Sequence, residues 1–108
     1  MTPGKVAPVV KVVVEGFVVR DGARIVDASS TVTLLETDRG RFIVDTGSPV
    51  RTEALESALE KVGVSLESVD SIINTHLHID HCGGNDLFPQ ARLLAHELEC
   101  PPLGAIRV

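Results

Sequence analysis

The chain has 108 residues, of which 10 are basic and 15 acidic, giving a formal net charge of -5 with neutral histidines. This length predicts one domain, residues 1–108, with a core that needs no disulfides, and the acidic balance argues against nucleic acid as the partner. Two unpatterned cysteines, Cys82 and Cys100, favour a reducing cytoplasm, and charged residues interrupt the apolar N-terminal run too often for a signal peptide or a membrane span.

The first half of the chain has the pattern of antiparallel β-strands. A run rich in β-branched residues predicts a strand over residues 9–19, bent at Gly16, and the "RDGAR" that follows is a polar connection with a D-G turn signal. Two more strands are predicted at residues 30–37 and 41–45, paired as a hairpin around the turn "DRG". This half therefore predicts an antiparallel sheet.

A helix is predicted in "GSPVRTEALESALEKVG", residues 47–63, where the apolar period changes from that of a strand to that of a helix. Ser48 is a candidate N-cap, Pro49 suits the first helical position, and Gly63 is a candidate C-terminal stop. The apolar positions of the predicted face are Val50, Ala54, Leu55, Ala58, Leu59 and Val62. The pattern predicts one main helix with a single apolar face.

The remaining predicted elements are shorter. A strand is predicted over residues 69–75, a short helix within "GGNDLF" that Pro89 ends, and a last strand over residues 91–95. The tail "PPLGAIRV" has no usable period, and the sequence contains no internal repeat. Because strands and a helix share one chain, the predicted class is α/β, with an antiparallel or mixed sheet.

Three of the four histidines lie in "NTHLHIDHCGG", residues 74–84, directly after a predicted strand. Residues two apart in an extended segment project to the same side, so His76 and His78 can bind one zinc ion at roughly 2.0–2.1 Å. If the chain then turns, Asp80 and His81 can hold a second ion roughly 3.5–4 Å away. The stretch therefore predicts a metal site at a strand end, where α/β folds usually place their chemistry.

The ligand types in this cluster indicate a catalytic site. Imidazole and carboxylate both suit zinc, and the lack of a set of thiolates argues against a closed structural site. An open coordination position would let zinc generate a hydroxide nucleophile near neutral pH. Asp80 could bind a metal and also orient that hydroxide, which makes it the candidate catalytic residue. Gly83 and Gly84 would let the backbone turn tightly beside the ions.

With these residues the chain resembles the metallo-β-lactamase fold superfamily. The resemblance rests on "THLHIDHCGG" at 75–84, on "FIVDTG" at 42–47 and on the order of the strands, and it covers roughly residues 9–96. It implies an αββα sandwich, of which this chain would be the N-terminal portion. It also implies a zinc-dependent hydrolase that acts on a small-molecule ester, thioester, lactam or phosphodiester.

The resemblance assigns roles to individual residues. His76 and His78 would bind the first of two zinc ions, Asp80 and His81 would bind the second, and Asp45 would be a buried carboxylate that supports the site from below. Family members complete the site with another histidine, a bridging aspartate and a last histidine from a second half. We therefore expect this chain to lack the C-terminal half and to form a dimer or other homo-oligomer through the uncovered sheet.

Three alternatives remain open. The chain could be a catalytically incomplete metal-binding or dimeric fragment, or a metal-dependent nuclease, although its charge argues against a nuclease. "FIVDTG" also resembles the catalytic loop of homodimeric aspartic proteases, which would make Asp45 half of a carboxylate dyad. Of the other candidates, His96 is more typical of a strand or helix end than of a ligand, and Cys82 of a small buried residue. Asn74 and Thr75 are expected to orient the metal loop.

Overall fold

Eight strands are present in the computed structural model, which describes residues 7–99 and 105–107. They are β1 (Val9–Val14), β2 (Phe17–Asp21), β3 (Arg24–Ser29), β4 (Val32–Thr37), β5 (Gly40–Val44), β6 (Ser71–Asn74), β7 (Arg92–Ala95) and β8 (Ile106–Arg107). Six of them form one mixed sheet in the order β1-β4-β5-β6-β7-β8, while β2 and β3 form a separate hairpin. In the mixed sheet β1, β4 and β5 are antiparallel, and the pairs from β5 to β8 are parallel. The predicted α/β class with a mixed sheet is confirmed.

The long strand predicted over residues 9–19 is broken in the structure. Gly16 lies between β1 and β2, and its N–H donates to Thr31 Oγ1 at 3.0 Å. It packs so closely that a Cβ would collide with the backbone of residues 29–31. The predicted bend at Gly16 is therefore the point where the chain leaves the main sheet for the hairpin.

The prediction misses β3, the second strand of this hairpin. The D-G turn joins β2 to β3, with Gly22 at φ 61. Ile25 and Val26 of β3 are 53% and 51% exposed. Since consecutive side chains on both faces are exposed, β3 lacks the alternating pattern by which a half-buried strand is recognised.

The main helix, α1 (Thr52–Lys61), confirms the predicted helix but begins later. A 3-10 helix, Pro49–Arg51, precedes it, and Ser48 Oγ accepts a hydrogen bond from the Val50 N–H at 3.4 Å, as expected of a cap. Gly63 follows α1 with φ 74, the left-handed conformation expected of a C-terminal stop. Ser48 and Gly63 therefore mark the two ends of the helical segment as predicted.

The core lies between α1 and one face of the main sheet. It consists of the buried residues Val32, Leu34, Ile43, Leu55, Leu59, Val64, Val69, Ile72 and Phe88. Leu55 and Leu59 are the positions of the predicted helical face that are fully buried here, whereas Val50 is 77% exposed. Val50 lies in the 3-10 helix, outside the α-helical period, so its predicted place on the buried face is wrong.

The opposite face of the sheet is apolar and partly open. Strand register aligns one row of mostly apolar residues across this face: Val12, Thr33, Val44, Ile73, Leu94 and Ile106. Val12 is 57% exposed and Ile106 is 42% exposed, and Val10, on the same side of β1, is 66% exposed. An open apolar surface of this kind is typical of one that packs against further structure.

The elements around the histidine stretch are short. β6 lies within the strand predicted over residues 69–75, and β7 lies within the strand predicted over residues 91–95. A 3-10 helix, Asn85–Leu87, takes the place of the predicted short helix. A second α-helix, α2 (Ile79–Cys82), forms inside the histidine stretch and has no counterpart in the prediction.

The C-terminal tail contributes β8, for which the sequence has no periodic signal. Cys100 and residues 101–104 lie outside the described residues. The longest helix in the described part of the chain has ten residues, and none found there is long and apolar enough to cross a bilayer.

Candidate metal centre

Asp45 follows β5 at a buried position beside the histidine stretch. It is 5% exposed and has φ 58, a left-handed conformation that aspartate tolerates better than most residues. Its carboxylate accepts hydrogen bonds from the Thr75 N–H at 2.8 Å and the Thr75 hydroxyl at 2.6 Å, and it lies 3.0 Å from His81 Nδ1. Because a carboxylate only accepts, His81 donates through Nδ1 and keeps Nε2 as the nitrogen that can bind a metal.

The short helix α2 is held by backbone hydrogen bonds to segments far away in the sequence. The Ser30 N–H donates to the Asp80 carbonyl, and the Thr46 N–H donates to the His81 carbonyl, each at 2.8 Å. These bonds tie two candidate ligands to the connection between β3 and β4 and to the loop after β5. Because the partners are distant, no local pattern could have indicated this helix.

A buried polar network lies behind His81. Thr46 Oγ1 donates to Asn85 Oδ1, and Asn85 Nδ2 donates to Asn74 Oδ1, each at 2.7 Å. Asn74 Nδ2 in turn reaches the His81 carbonyl at 3.4 Å. Thr46 and Asn74 are only 1% and 3% exposed. An orienting contact of Asn74 was expected, whereas Thr46 and Asn85 were missed. The available signal was that Thr46 is a polar residue within "FIVDTG" and that Asn85 directly follows the histidine stretch.

Gly83 and Gly84 are required by packing within the protein. A Cβ on Gly83 would collide with Pro49, and a Cβ on Gly84 would lie 2.6 Å from the Thr46 carbonyl oxygen. The expected close turn is present. It requires glycine because α2 ends directly against the loop that begins at Asp45.

The four predicted ligands lie together after β6. The ring centroid of His76 is 4.9 Å from that of His81 and 6.0 Å from that of His78. Asp80 Oδ2 is 3.7 Å from His81 Nε2. Within residues 7–99 and 105–107, however, no three His, Cys, Asp or Glu side chains are arranged to bind one metal ion. The fold thus gathers the candidate ligands without closing a coordination sphere among the described residues.

The chemistry of this donor set fits zinc. Two donors at about 2.0–2.1 Å from one tetrahedral zinc are about 3.3 Å apart. The separation between Asp80 Oδ2 and His81 Nε2 is 3.7 Å, close to that value. His81 is also paired through Nδ1 to a carboxylate, as zinc-binding histidines usually are. Asp80 and His81 therefore fit the role of a ligand pair for one ion.

Cys82 and His96 have structural contacts. Burial raises the pKa of the Cys82 thiol, which disfavours the metal-binding thiolate, and Cys82 Sγ donates to the Leu77 carbonyl at 3.5 Å. His96 Nδ1 accepts a hydrogen bond from the Leu98 N–H at 3.1 Å, at the start of the 3-10 helix Glu97–Glu99. Cys82 is only partly buried, not fully buried as expected, whereas the contact of His96 agrees with its interpretation as a residue at the end of an element.

A further residue at the site, Glu99, was missed. Its Oε1 accepts a hydrogen bond from the Leu77 N–H at 3.0 Å and lies 3.8 Å from His76 Nδ1. Glu99 reaches the loop because β6 and β7 are parallel neighbours, with Asn74 paired to Ala95, so that the segments after the two strands lie side by side. The register of these strands, which cannot be read from the sequence, places Glu99 there.

Comparisons with known proteins point to one family. The profile of the Metallo-beta-lactamase superfamily matches residues 25–97. Mouse Metallo-beta-lactamase domain-containing protein 1 is 44% identical over 78 residues, which are 72% of this chain and 30% of the mouse protein. The histidine spacing and the segment "LFPQARLL" indicate the same branch of the family. The chain spans less than a third of the length of this relative.

Solved structures give the same result. A Thermotoga maritima protein assigned to the metallo-beta-lactamases superposes with a TM-score of 0.74 at 31% identity, over 84% of this chain and 44% of that one. The class B3 di-zinc metallo-beta-lactamase LRA-12, from an Alaskan soil metagenome, superposes with a TM-score of 0.56 at 26% identity, over 62% of this chain and 26% of that one. The chain therefore belongs to the Metallo-beta-lactamase superfamily, a family of hydrolases.

Proposed function

We propose that the chain forms the N-terminal part of a zinc-dependent hydrolase. The observation that carries this proposal is the contact of His81 Nδ1 with Asp45. The other ring nitrogen, Nε2, lies 3.7 Å from Asp80 Oδ2. A histidine held in this way offers one defined nitrogen to a metal. Zinc is the proposed metal because LRA-12, which has a similar fold, is a di-zinc enzyme.

The four residues after β6 have separate roles in this proposal. His76 and His78 would hold one zinc ion, and Asp80 and His81 would hold a second. Bound zinc would supply a water nucleophile near neutral pH and would polarise the bond to be cleaved. Asp80 would orient the attacking water by accepting its hydrogen bond, and Asp45 would keep His81 in the tautomer that leaves Nε2 free.

The proposed substrate is a small molecule with an ester, thioester, lactam or phosphodiester bond. The side chain of His76 is 56% exposed, so the ligand loop is accessible from solvent. The net charge of -5 disfavours a nuclease, because nucleic acid binding depends on positive charge at the phosphates.

Asp45 does not suit the alternative of an aspartic protease. In such a dyad the carboxylate must face the matching carboxylate of a second chain and share a proton with it. Here the carboxylate is buried and accepts hydrogen bonds from Thr75 and His81 of its own chain. The family match includes "FIVDTG", so this stretch does not require the aspartic protease interpretation.

A second candidate is a metal-binding chain without hydrolytic activity of its own. It is favoured by one observation, that no three potential ligands among the described residues are arranged around one ion. Such a chain would take up metal and leave every substrate unchanged.

Elemental analysis and hydrolysis assays on one preparation test both candidates. We expect bound zinc and turnover of a thioester, a lactam or a phosphodiester, whereas zinc without turnover would favour the second candidate. The double variant His76→Ala with His78→Ala should lose zinc while its circular dichroism is retained. Glu53→Ala with Glu56→Ala is the control, because both are exposed residues of α1 outside the histidine cluster. A double variant with the zinc content of the parent would overturn the ligand assignment.

We also propose that the chain self-associates, through the open face and an edge strand of the sheet. β1 lies at one edge of the sheet, and Val10 and Val12 on it are well exposed, so a second copy could add to this edge. We expect a dimer in sedimentation velocity at micromolar concentration, weakened by Val10→Lys with Val12→Lys. A monomeric parent at that concentration would contradict the proposal.

A further inference from the structure

Two carboxylates each accept a backbone hydrogen bond from the histidine stretch and stand beside one of its imidazoles, at different distances. Asp45 accepts a hydrogen bond from a loop N–H and faces Nδ1 of His81 at 3.0 Å. Glu99 likewise accepts a hydrogen bond from the Leu77 N–H at 3.0 Å and faces Nδ1 of His76 at 3.8 Å. Each carboxylate therefore holds the backbone of the loop and stands beside one imidazole.

The turn that carries Glu99 is ordered by hydrogen bonds of its own. The Glu99 N–H donates to the His96 carbonyl at 3.0 Å, and the Leu98 N–H donates to His96 Nδ1 at 3.1 Å. The Glu99 side chain is 31% exposed, so it is partly enclosed between this turn and the loop. A side chain already restricted in this way loses less conformational entropy when it holds a partner.

We propose that Glu99 is a positioning residue for His76, as Asp45 is for His81. With Nδ1 facing a carboxylate, His76 presents Nε2 to the metal, and the negative charge makes the imidazole a stronger ligand. The metal-binding purpose of this pair rests on the proposed function. The pairing of Glu99 with His76 itself can be tested without metal.

The competing explanation is that Glu99 only caps the Leu77 N–H. Glu99→Gln separates the two, because the amide oxygen of glutamine can still accept from Leu77 while the charge facing His76 is lost. Glu97→Gln is the matched control, since it makes the same chemical change at an exposed residue of the same 3-10 helix.

Zinc affinity, measured by competition with a chelator, gives the first result. We expect Glu99→Gln to bind zinc about 10–100-fold more weakly than the parent chain, the usual loss when a group supporting a ligand is removed. Glu97→Gln should bind as tightly as the parent. Parent-like affinity in Glu99→Gln would overturn the proposal.

NMR of the metal-free chain gives the second result. Long-range nitrogen–proton spectra, recorded where the rings are neutral, report which nitrogen of His76 carries the proton. We expect protonation on Nδ1 in the parent and in Glu97→Gln, and a shift towards Nε2 in Glu99→Gln. An unchanged ratio would show capping alone and overturn the proposal. If the parent takes up no zinc, the proposed function fails, and this ratio still decides the role of Glu99.

Discussion

His81 and His76 belong to the same ligand loop, yet the fold holds them very differently. The His81 side chain is 24% exposed and lies 3.0 Å from Asp45, whose side chain is 8% exposed. The His76 side chain is 56% exposed and lies 3.8 Å from Glu99, whose side chain is 31% exposed. One end of the loop is therefore buried and hydrogen-bonded, whereas the other end is open and held by a longer contact.

Because of this difference, we expect the two ends of the loop to contribute to different properties, one to the stability of the fold and the other to metal affinity. At the His81 end the supporting groups are buried, so their loss leaves donors without partners and weakens the whole fold. At the His76 end the groups are solvated, so their loss costs little folding free energy but leaves a ligand to be ordered when metal binds. The buried end should therefore govern unfolding, and the open end should govern zinc affinity.

Asp45→Ala should have the largest effect on this comparison. The change leaves the Thr75 N–H and His81 Nδ1–H without their acceptor, and it places alanine at φ 58. We expect the free energy of unfolding, measured in urea, to fall by about 3 kcal/mol. Asp45→Asn should lose about 2 kcal/mol, because asparagine tolerates the left-handed conformation.

The control for Asp45→Ala is Asp86→Ala, which removes an exposed carboxylate soon after α2. A surface change of this kind is expected to stay within about 0.5 kcal/mol of the parent. If both variants unfolded at the same urea concentration, the buried end of the loop would not be the stable one.

Asn85→Ala should have an intermediate effect, because it removes the centre of the network behind His81. The Thr46 hydroxyl and Asn74 Oδ1 each lose a partner at 2.7 Å. We expect a loss of about 1.5 kcal/mol in the free energy of unfolding. Hydrogen exchange should also become faster at the Gly84 N–H, which donates to Thr46 Oγ1 at 3.1 Å. Unchanged protection at Gly84 would mean that the network does not anchor the loop.

The parts of the fold that the sequence predicts correctly have local causes. The ends of α1 depend on Ser48, Pro49 and Gly63, whose conformational preferences act within one turn. The four candidate ligands were found for the same reason, since His76 and His81 are only five positions apart and one short loop carries both. Features that depend on a few neighbouring residues, such as helix ends and a cluster of ligands, can be predicted from the sequence.

The missed features depend on contacts that are distant in the sequence. α2 has four residues and is held through carbonyls that Ser30 and Thr46 bind from other segments. Glu99 reaches Leu77 because β6 and β7 pair in one particular register. β3 was missed for a different reason: both faces of its hairpin are exposed, so its sequence has no alternating apolar pattern. Predicting α2 and the contact of Glu99 would have required the sheet topology first.

Glu99→Ala should have the smallest effect on folding and is the most sensitive test of the open end. Because the side chain is partly solvated, we expect the free energy of unfolding to fall by only about 0.5 kcal/mol. Hydrogen exchange at the Leu77 N–H should become faster, while the N–H of Thr75, held by Asp45, keeps its protection. A loss as large as that of Asp45→Ala would mean that both ends of the loop are held equally, and stability and metal affinity could not then be assigned to separate ends.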